Sequence, residues 1–133
     1  MNIVSDDIPF IECDYGILMF VLSAIKPDDF DKVLTKINNS LKKGAILYFR
    51  DYARYDMAQL RFAKRKQNKI SDNLYMRKDF TLAYYFDKEE VVELFKKNGF
   101  EKRDIKVICR LIENRKEDKK MYRMWLQASF IKS

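Results

Sequence analysis

Arg50, Asp51 and Tyr52 directly follow the short apolar run Ala45–Phe49 (AILYF). A carboxylate, a phenol and a guanidinium at the end of a buried strand are placed where open parallel sheets bind their ligands. The chain of 133 residues has no histidine. That excludes Ser-His-Asp and Cys-His nucleophiles, histidine-ligated metals and a histidine pH switch. Chemistry here falls to carboxylates, hydroxyls, Lys, Arg or positioning alone. No metal site is expected.

The charge is uneven. Residues 1–60 carry 7 basic and 9 acidic groups, whereas residues 61–133 carry 20 and 11. A basic half suits phosphate, because each neutralised phosphate releases counterions. The densest stretch is Arg61, Lys64, Arg65, Lys66 and Lys69. The same charges also suit an ordinary solvated surface.

Asp14–Leu22 (DYGILMFVL) reads as a strand buried on both faces. Pro27 suits the first turn of a helix. Phe30, Val33, Leu34, Ile37 and Leu41 follow at helical spacing, with Gly44 as the stop. Ala45–Phe49 is then a second strand, giving a right-handed βαβ unit. Asp56–Lys69 is predicted as a helix, and Leu74–Tyr75 and Thr81–Phe86 as an inserted hairpin. Asp87 is the predicted N-cap of the next helix, with Glu90 as its capping-box partner and Gly99 at its end. Ile105–Ile112 and Met121–Ile131 read as an antiparallel pair around the charged turn ENRKEDKK.

Cys13 and Cys109 are far apart and form no CxxC motif, which suits a reduced, cytoplasmic protein. A nuclear or mitochondrial address remains open. The longest apolar run, Ile17–Leu22, is too short to span a bilayer, and the N-terminus has no signal-peptide pattern.

The segments FVLSAIKPDDF (Phe20–Phe30), LKKGAILYFRDYARYDMAQLRF (Leu41–Phe62), NLYMRKDFTLAYYF (Asn73–Phe86) and the final LQASFIKS are more specific than the architecture. Together they resemble the methyltransferase-like family that makes 3-methylcytidine in tRNA, from Asp14 onward. The resemblance implies an α/β fold: the C-terminal half of a Rossmann-like class I methyltransferase. It would have parallel strands, a terminal antiparallel pair and an inserted hairpin, as a single domain over residues 1–133. It implies S-adenosylmethionine as cofactor and tRNA as partner, with a further protein partner as a source of tRNA specificity.

Carried over by position, the resemblance places Met19 and Phe20 at the cofactor. It places Ser23, Arg50, Asp56, Arg61, Arg77, Asp79 and Thr81 around the substrate, with Arg61 and Arg77 on tRNA phosphates. Cytosine N3 has a lone pair, so methyl transfer needs proximity and in-line orientation rather than a strong base. The product is cationic, which makes Asp51 the candidate stabilising carboxylate and Tyr52 the candidate base-contacting ring. The structural alternatives stand beside these roles. Asp51 would pair with Arg50 or cap a turn, Ser23 would cap the turn after the first strand, and Asp56 and Asp79 would pair with Arg61 and Arg77. Met19 and Phe20 would pack in the core.

Three departures matter. The family's usual glycine at position 80 is Phe80, and its usual arginine at position 82 is Leu82. With only Gly16, Gly44 and Gly99, no GxGxxG cofactor loop can be built. A non-catalytic RNA- or protein-binding module derived from the fold is therefore the alternative reading. The first strand is expected to lack its usual neighbour, leaving an apolar edge for self-association.

Overall fold

The computed structural model describes residues 2–8, 12–64 and 69–133. Strand β1 (Cys13–Met19) is followed by 3-10 turns at Leu22–Ala24 and Pro27–Asp29, then helix α1 (Phe30–Asn39) and strand β2 (Leu41–Tyr52). Helix α2 (Met57–Lys64) leads to three short strands, β3 (Lys69–Ser71), β4 (Leu74–Met76) and β5 (Leu82–Tyr84). Helix α3 (Lys88–Lys97) and strands β6 (Phe100–Asn114) and β7 (Lys119–Lys132) complete the order. Residues 65–68, within the expected helix Asp56–Lys69, lie outside the described residues.

The main sheet has the order β1-β2-β7-β6. β1 and β2 are parallel, while β7 is antiparallel to both neighbours. The smaller sheet β3-β4-β5 is antiparallel, so the inserted hairpin is a three-stranded unit.

The two-residue strand period divides the sheet into unlike faces. Leu47, Phe49, Leu126, Ala128 and Phe130 point to a core completed by Val33, Leu34 and Ile37 of α1 and Val91 and Phe95 of α3. Phe95 stacks on Phe130 at 4.2 Å between ring centroids. The opposite face is open. Tyr15, Ile17 and Met19 are exposed there at 65%, 69% and 48%, so β1 is not buried on both faces as its apolar run suggested.

Several boundaries differ from the sequence reading. β2 has twelve residues, so Arg50, Asp51 and Tyr52 belong to the strand and do not follow it. Leu41 opens β2 and does not close α1, which ends at Asn39. Gly44 (φ +83°) is not a helix stop. It lies inside β2 where the β1–β2 register shifts, and a bulge needs its left-handed backbone. The α1 C-terminus is capped instead by Lys132, whose Nζ donates to the carbonyls of Asn38 and Leu41 at 2.7 Å each. A cation at that end also opposes the helix dipole.

Asp87 does occupy the N-cap of α3, but its side chain makes no capping bond. It pairs with Arg54 at 3.4 Å, and Glu90 accepts from the Tyr84 hydroxyl. Burial and the bond to Glu90 push the Tyr84 phenol well above its ordinary range. The capping box is thus replaced by two contacts that fasten α3 to Arg54, just past β2, and to Tyr84 of the inserted unit.

Candidate active site at the carboxyl end of the parallel strands

β1 and β2 run parallel, so their carboxyl ends, Met19 and Tyr52, lie at one end of the sheet. The backbone leaves β2 and returns through the small sheet. Phe86 N donates to Tyr52 O and Arg54 N to Phe86 O, both at 2.9 Å. This clamps the inserted unit over the strand ends.

Tyr52 is the hub. Its ring lies 5.1 Å from Phe20 and 5.7 Å from Tyr85, and the Arg77 and Arg123 guanidinia sit 5.5 and 5.2 Å from its centroid. Trp125 is the cross-strand partner of Tyr52 and meets the Phe20 ring edge-on at 6.2 Å. Arg50 lies 6.0 Å from the Trp125 ring and donates to the Gln127 side-chain oxygen. The result is a half-open cluster of aromatic rings laced with guanidinia. Such surfaces take planar, electron-rich or anionic groups.

Phe20 holds an unusual backbone, φ +54°, fixed by its N–H donating to Arg50 O at 2.8 Å. A left-handed aromatic residue costs about 1–2 kcal/mol. Strain of this kind concentrates at sites where the turned side chain is used. Here it swings the ring across the strand ends to Tyr52 and Trp125.

Asp51 is fully buried beneath this cluster. One carboxylate oxygen accepts from Ser23 N at 2.9 Å and the other from Tyr52 N at 2.8 Å. It therefore fastens the turn after β1 to the end of β2, and it does not pair with Arg50. Burial pushes its carboxyl up to about 6. The Ser23 and Tyr52 bonds and the nearby Arg77 charge pull it the other way. At neutral pH it is mainly ionised.

Asp56 is also fully buried. Its Oδ1 accepts from Arg123 Nε at 2.8 Å and Met124 N at 2.7 Å, and its Oδ2 from Ala58 N at 3.0 Å. The partner is Arg123, not Arg61 or Arg77. Just past β2, Ala53 N still donates to Met124 O at 2.9 Å, and Asp56 supplies the acceptor for the Met124 N–H.

Asp51, Tyr52, Phe20, Ser23, Arg50 and Arg77 are thus brought together, with Asp56 alongside. Three expected substrate residues stand apart. Arg61 is exposed on α2, and Asp79 bonds both the backbone and hydroxyl of Thr81 in an exposed turn. Those bonds hold the Asp79 carboxyl below its ordinary value. Met19 is exposed on the open sheet face, where with Ile17, Tyr48, Arg50 and Gln127 it lines a concavity of about 380 Å³.

Arg123, Trp125 and Tyr85 were not anticipated. The alternation Met121-Tyr122-Arg123-Met124-Trp125 does put Arg123 and Trp125 on one face, but only the cross-strand register brings that face to Tyr52.

The departures from the family pattern have structural correlates. Position 80 has φ +65°, a backbone suited to the family's glycine, and the Phe80 side chain is 83% exposed. Leu82 packs against the main core, where a guanidinium would be out of place.

A twisted sheet with helices on one face, an aromatic site at the carboxyl ends of its parallel strands and a terminal antiparallel pair defines a Rossmann-like α/β protein. The solved S-adenosylmethionine-dependent methyltransferase of Methanosarcina mazei superimposes with a TM-score of 0.70 at 16% identity, covering 100% of this chain and 66% of that one. The family described as "Methyltransferase domain" matches residues 9–105, and the chain belongs to it. Human tRNA N(3)-cytidine methyltransferase METTL2B is 43% identical over 125 residues, 94% of this chain and 32% of the relative. O-methyltransferase 3 of Dictyostelium discoideum is 42% identical over 119 residues, 90% of this chain and 27% of the relative. The chain therefore spans about a third of the length of these relatives.

Proposed function

We propose that this chain is the acceptor-side part of an S-adenosylmethionine-dependent methyltransferase that methylates N3 of cytidine in tRNA. The observation that carries the reading is the ring-and-guanidinium cluster around Tyr52, at the end of the sheet where this fold holds its ligands. The likeness to a named tRNA cytidine methyltransferase over 94% of the chain supports the acceptor.

The residues present fit one side of the cofactor. Met19 ends β1 on the open sheet face and Phe20 follows it at the cluster, both partly open to solvent, while the sequence holds no glycine loop. Residues 1–133 are then one domain, part of a methyltransferase domain, that supplies one side of the cofactor cradle, and no residue of this sequence supplies its glycine-loop side. When bound, the cofactor supplies an electrophilic sulfonium methyl. Phe20 and Trp125 frame a planar base, and Arg50, Arg77 and Arg123 hold its anionic surroundings. Asp51 places a negative charge beneath the strand end, which favours the cationic product base. Arg61 is the outlying phosphate contact on α2. The partners are tRNA and a protein that contributes tRNA specificity, and the compartment is the cytoplasm. Among the described residues no helix is long and apolar enough to cross a membrane.

The test is nucleoside analysis of tRNA after removal of the whole gene. Loss of 3-methylcytidine is expected, and an unchanged amount would overturn the reading. The likeness to the Dictyostelium O-methyltransferase favours an oxygen acceptor as a second reading. The same analysis, extended to ribose-methylated nucleosides, separates the two. Titration calorimetry of the complete protein with S-adenosylmethionine tells the enzyme reading from the non-catalytic one.

A further inference from the structure

The face of the β6–β7 ribbon turned away from Trp125 and Arg123 is apolar. Its cross-strand pairs are Val107 with Leu126, Cys109 with Met124 and Leu111 with Tyr122. Leu126 belongs to the core that α3 completes, and Met124 packs at its margin. Val107, Leu111 and Tyr122 are exposed, so the packed surface runs on past the helices as an uncovered apolar strip. Glu113 and Lys120 close its outer end by pairing with each other. A contiguous apolar strip with polar ends is the mark of a docking surface.

At its inner end the strip opens into a groove of about 330 Å³. Phe86, Val107, Met124 and Leu126 supply the apolar lining, and Arg54, Tyr55, Asp87 and Lys88 stand at its polar side. A guanidinium has five N–H donors. Among the described residues, the Arg54 side chain has one acceptor, Asp87 Oδ2 at 3.4 Å from Nη1, and its Nε is buried with no partner. A buried donor left without an acceptor asks for an explanation. The exposed Tyr55 ring lies 5.5 Å from the same guanidinium. Its left-handed backbone, φ +69°, is held by Gln59, whose side-chain oxygen accepts from Tyr55 N at 2.6 Å. Among the described lining residues Asp87 is the one acid, and it already has Arg54. Lys88 and the idle Arg54 donors leave the rim cationic.

We propose that the strip and groove dock an amphipathic helix of a partner protein, its apolar side on Val107, Leu111 and Tyr122 and one of its carboxylates at Arg54. A helix fits because apolar sheet faces are covered by helices, as α1 and α3 cover the rest of this one. A carboxylate fits because it takes two guanidinium N–H groups in a forked pair. Nε is closed to solvent in the free chain, so it gains that acceptor when the side chain turns into the groove. The strip and the Trp125 ring are on opposite faces of the ribbon, so a helix docked here leaves the Tyr52 cluster open. The inference gives a protein partner its place and does not depend on which acceptor is methylated.

The experiment is fluorescence anisotropy of a labelled helical peptide of about 18 residues, titrated with the complete protein without RNA or cofactor. The peptide carries Leu at every third or fourth position and Glu on both flanks. A second peptide keeps the Leu stripe and has Lys in place of each Glu. The Glu peptide is expected to bind about tenfold more tightly than the Lys peptide. Leu111→Thr is expected to weaken it by about tenfold, and Ile112→Thr, equally exposed on the other face of β6, to change it little. Threonine keeps the strand propensity in both, and circular dichroism checks the fold. Arg54→Gln is expected to remove most of the preference for Glu, while Lys43→Gln, the same loss of charge near the start of β2, leaves it. Equal binding of the two peptides, equal losses from Leu111→Thr and Ile112→Thr, or no binding overturns the inference. A light-scattering mass of two chains that falls to one with Leu111→Thr gives the strip to a second copy and overturns it too. None of these outcomes touches the acceptor reading, which the nucleoside analysis tests separately.

Discussion

Asp51 ties the fold together at the proposed site. It is fully buried, and it ties Ser23 to the end of β2 through two backbone N–H groups. The carboxyl titrates near 6 in the folded chain against an ordinary 3.8, because burial outweighs those bonds. The fold thus favours the protonated acid. Its contribution to stability is full below about pH 3.8 and is lost as pH rises through about 6. The ionised form costs the fold about 3 kcal/mol at pH 7. Denaturant melts from pH 4 to 8 are expected to show stability declining through that window, with the decline reduced in Asp51→Asn. Identical pH profiles for the two proteins would rule this out. On the proposed function, methyl transfer by the complete protein is expected to fall below about pH 6 as the Asp51 charge is lost.

The elements show what was legible and what was not. α1 was readable because Phe30, Val33, Leu34 and Ile37 recur at the helical period and face the core. The cores of β2, β6 and β7 were readable from apolar runs, but their ends were not. Strand ends are set by where partners stop pairing, and β2 continues to Tyr52 only because β7 accompanies it. Asp51, Tyr52 and Arg77 were legible through family motifs, whereas Arg123 and Trp125 needed a register that local sequence does not encode. Position 80 is the converse case. There the family pattern implied a glycine, and the backbone has the positive φ that glycine serves. Phe80→Gly removes a left-handed penalty of about 1–2 kcal/mol, partly offset by the added freedom of an unfolded glycine. Because the ring is largely exposed, little burial is lost. A net gain of about 0.5–1 kcal/mol is expected from urea unfolding midpoints, and a loss of stability would contradict it.

At the scale of the molecule, one sheet face is packed by α1 and α3 and the other is open, with β1 as an unaccompanied edge. Tyr15, Ile17 and Met19 make that edge apolar. Such an edge is a template for another strand. We predict that the 133-residue chain self-associates. Its light-scattering mass is expected to rise with concentration, and Ile17→Lys is expected to hold it near that of one chain. A concentration-independent single-chain mass for the unaltered protein would refute the idea. The same edge is where a further strand of a complete methyltransferase domain would pair.

The placement of β7 between β2 and β6 also governs how the chain is made. Ile46 must wait for Ile131, its partner 85 residues further on. At about 5–20 residues per second, that is roughly 4–17 s of synthesis. Until then Leu47 and Phe49 sit on a strand lacking one of its two neighbours. The nascent chain therefore emerges with its sheet divided and its apolar interior uncovered.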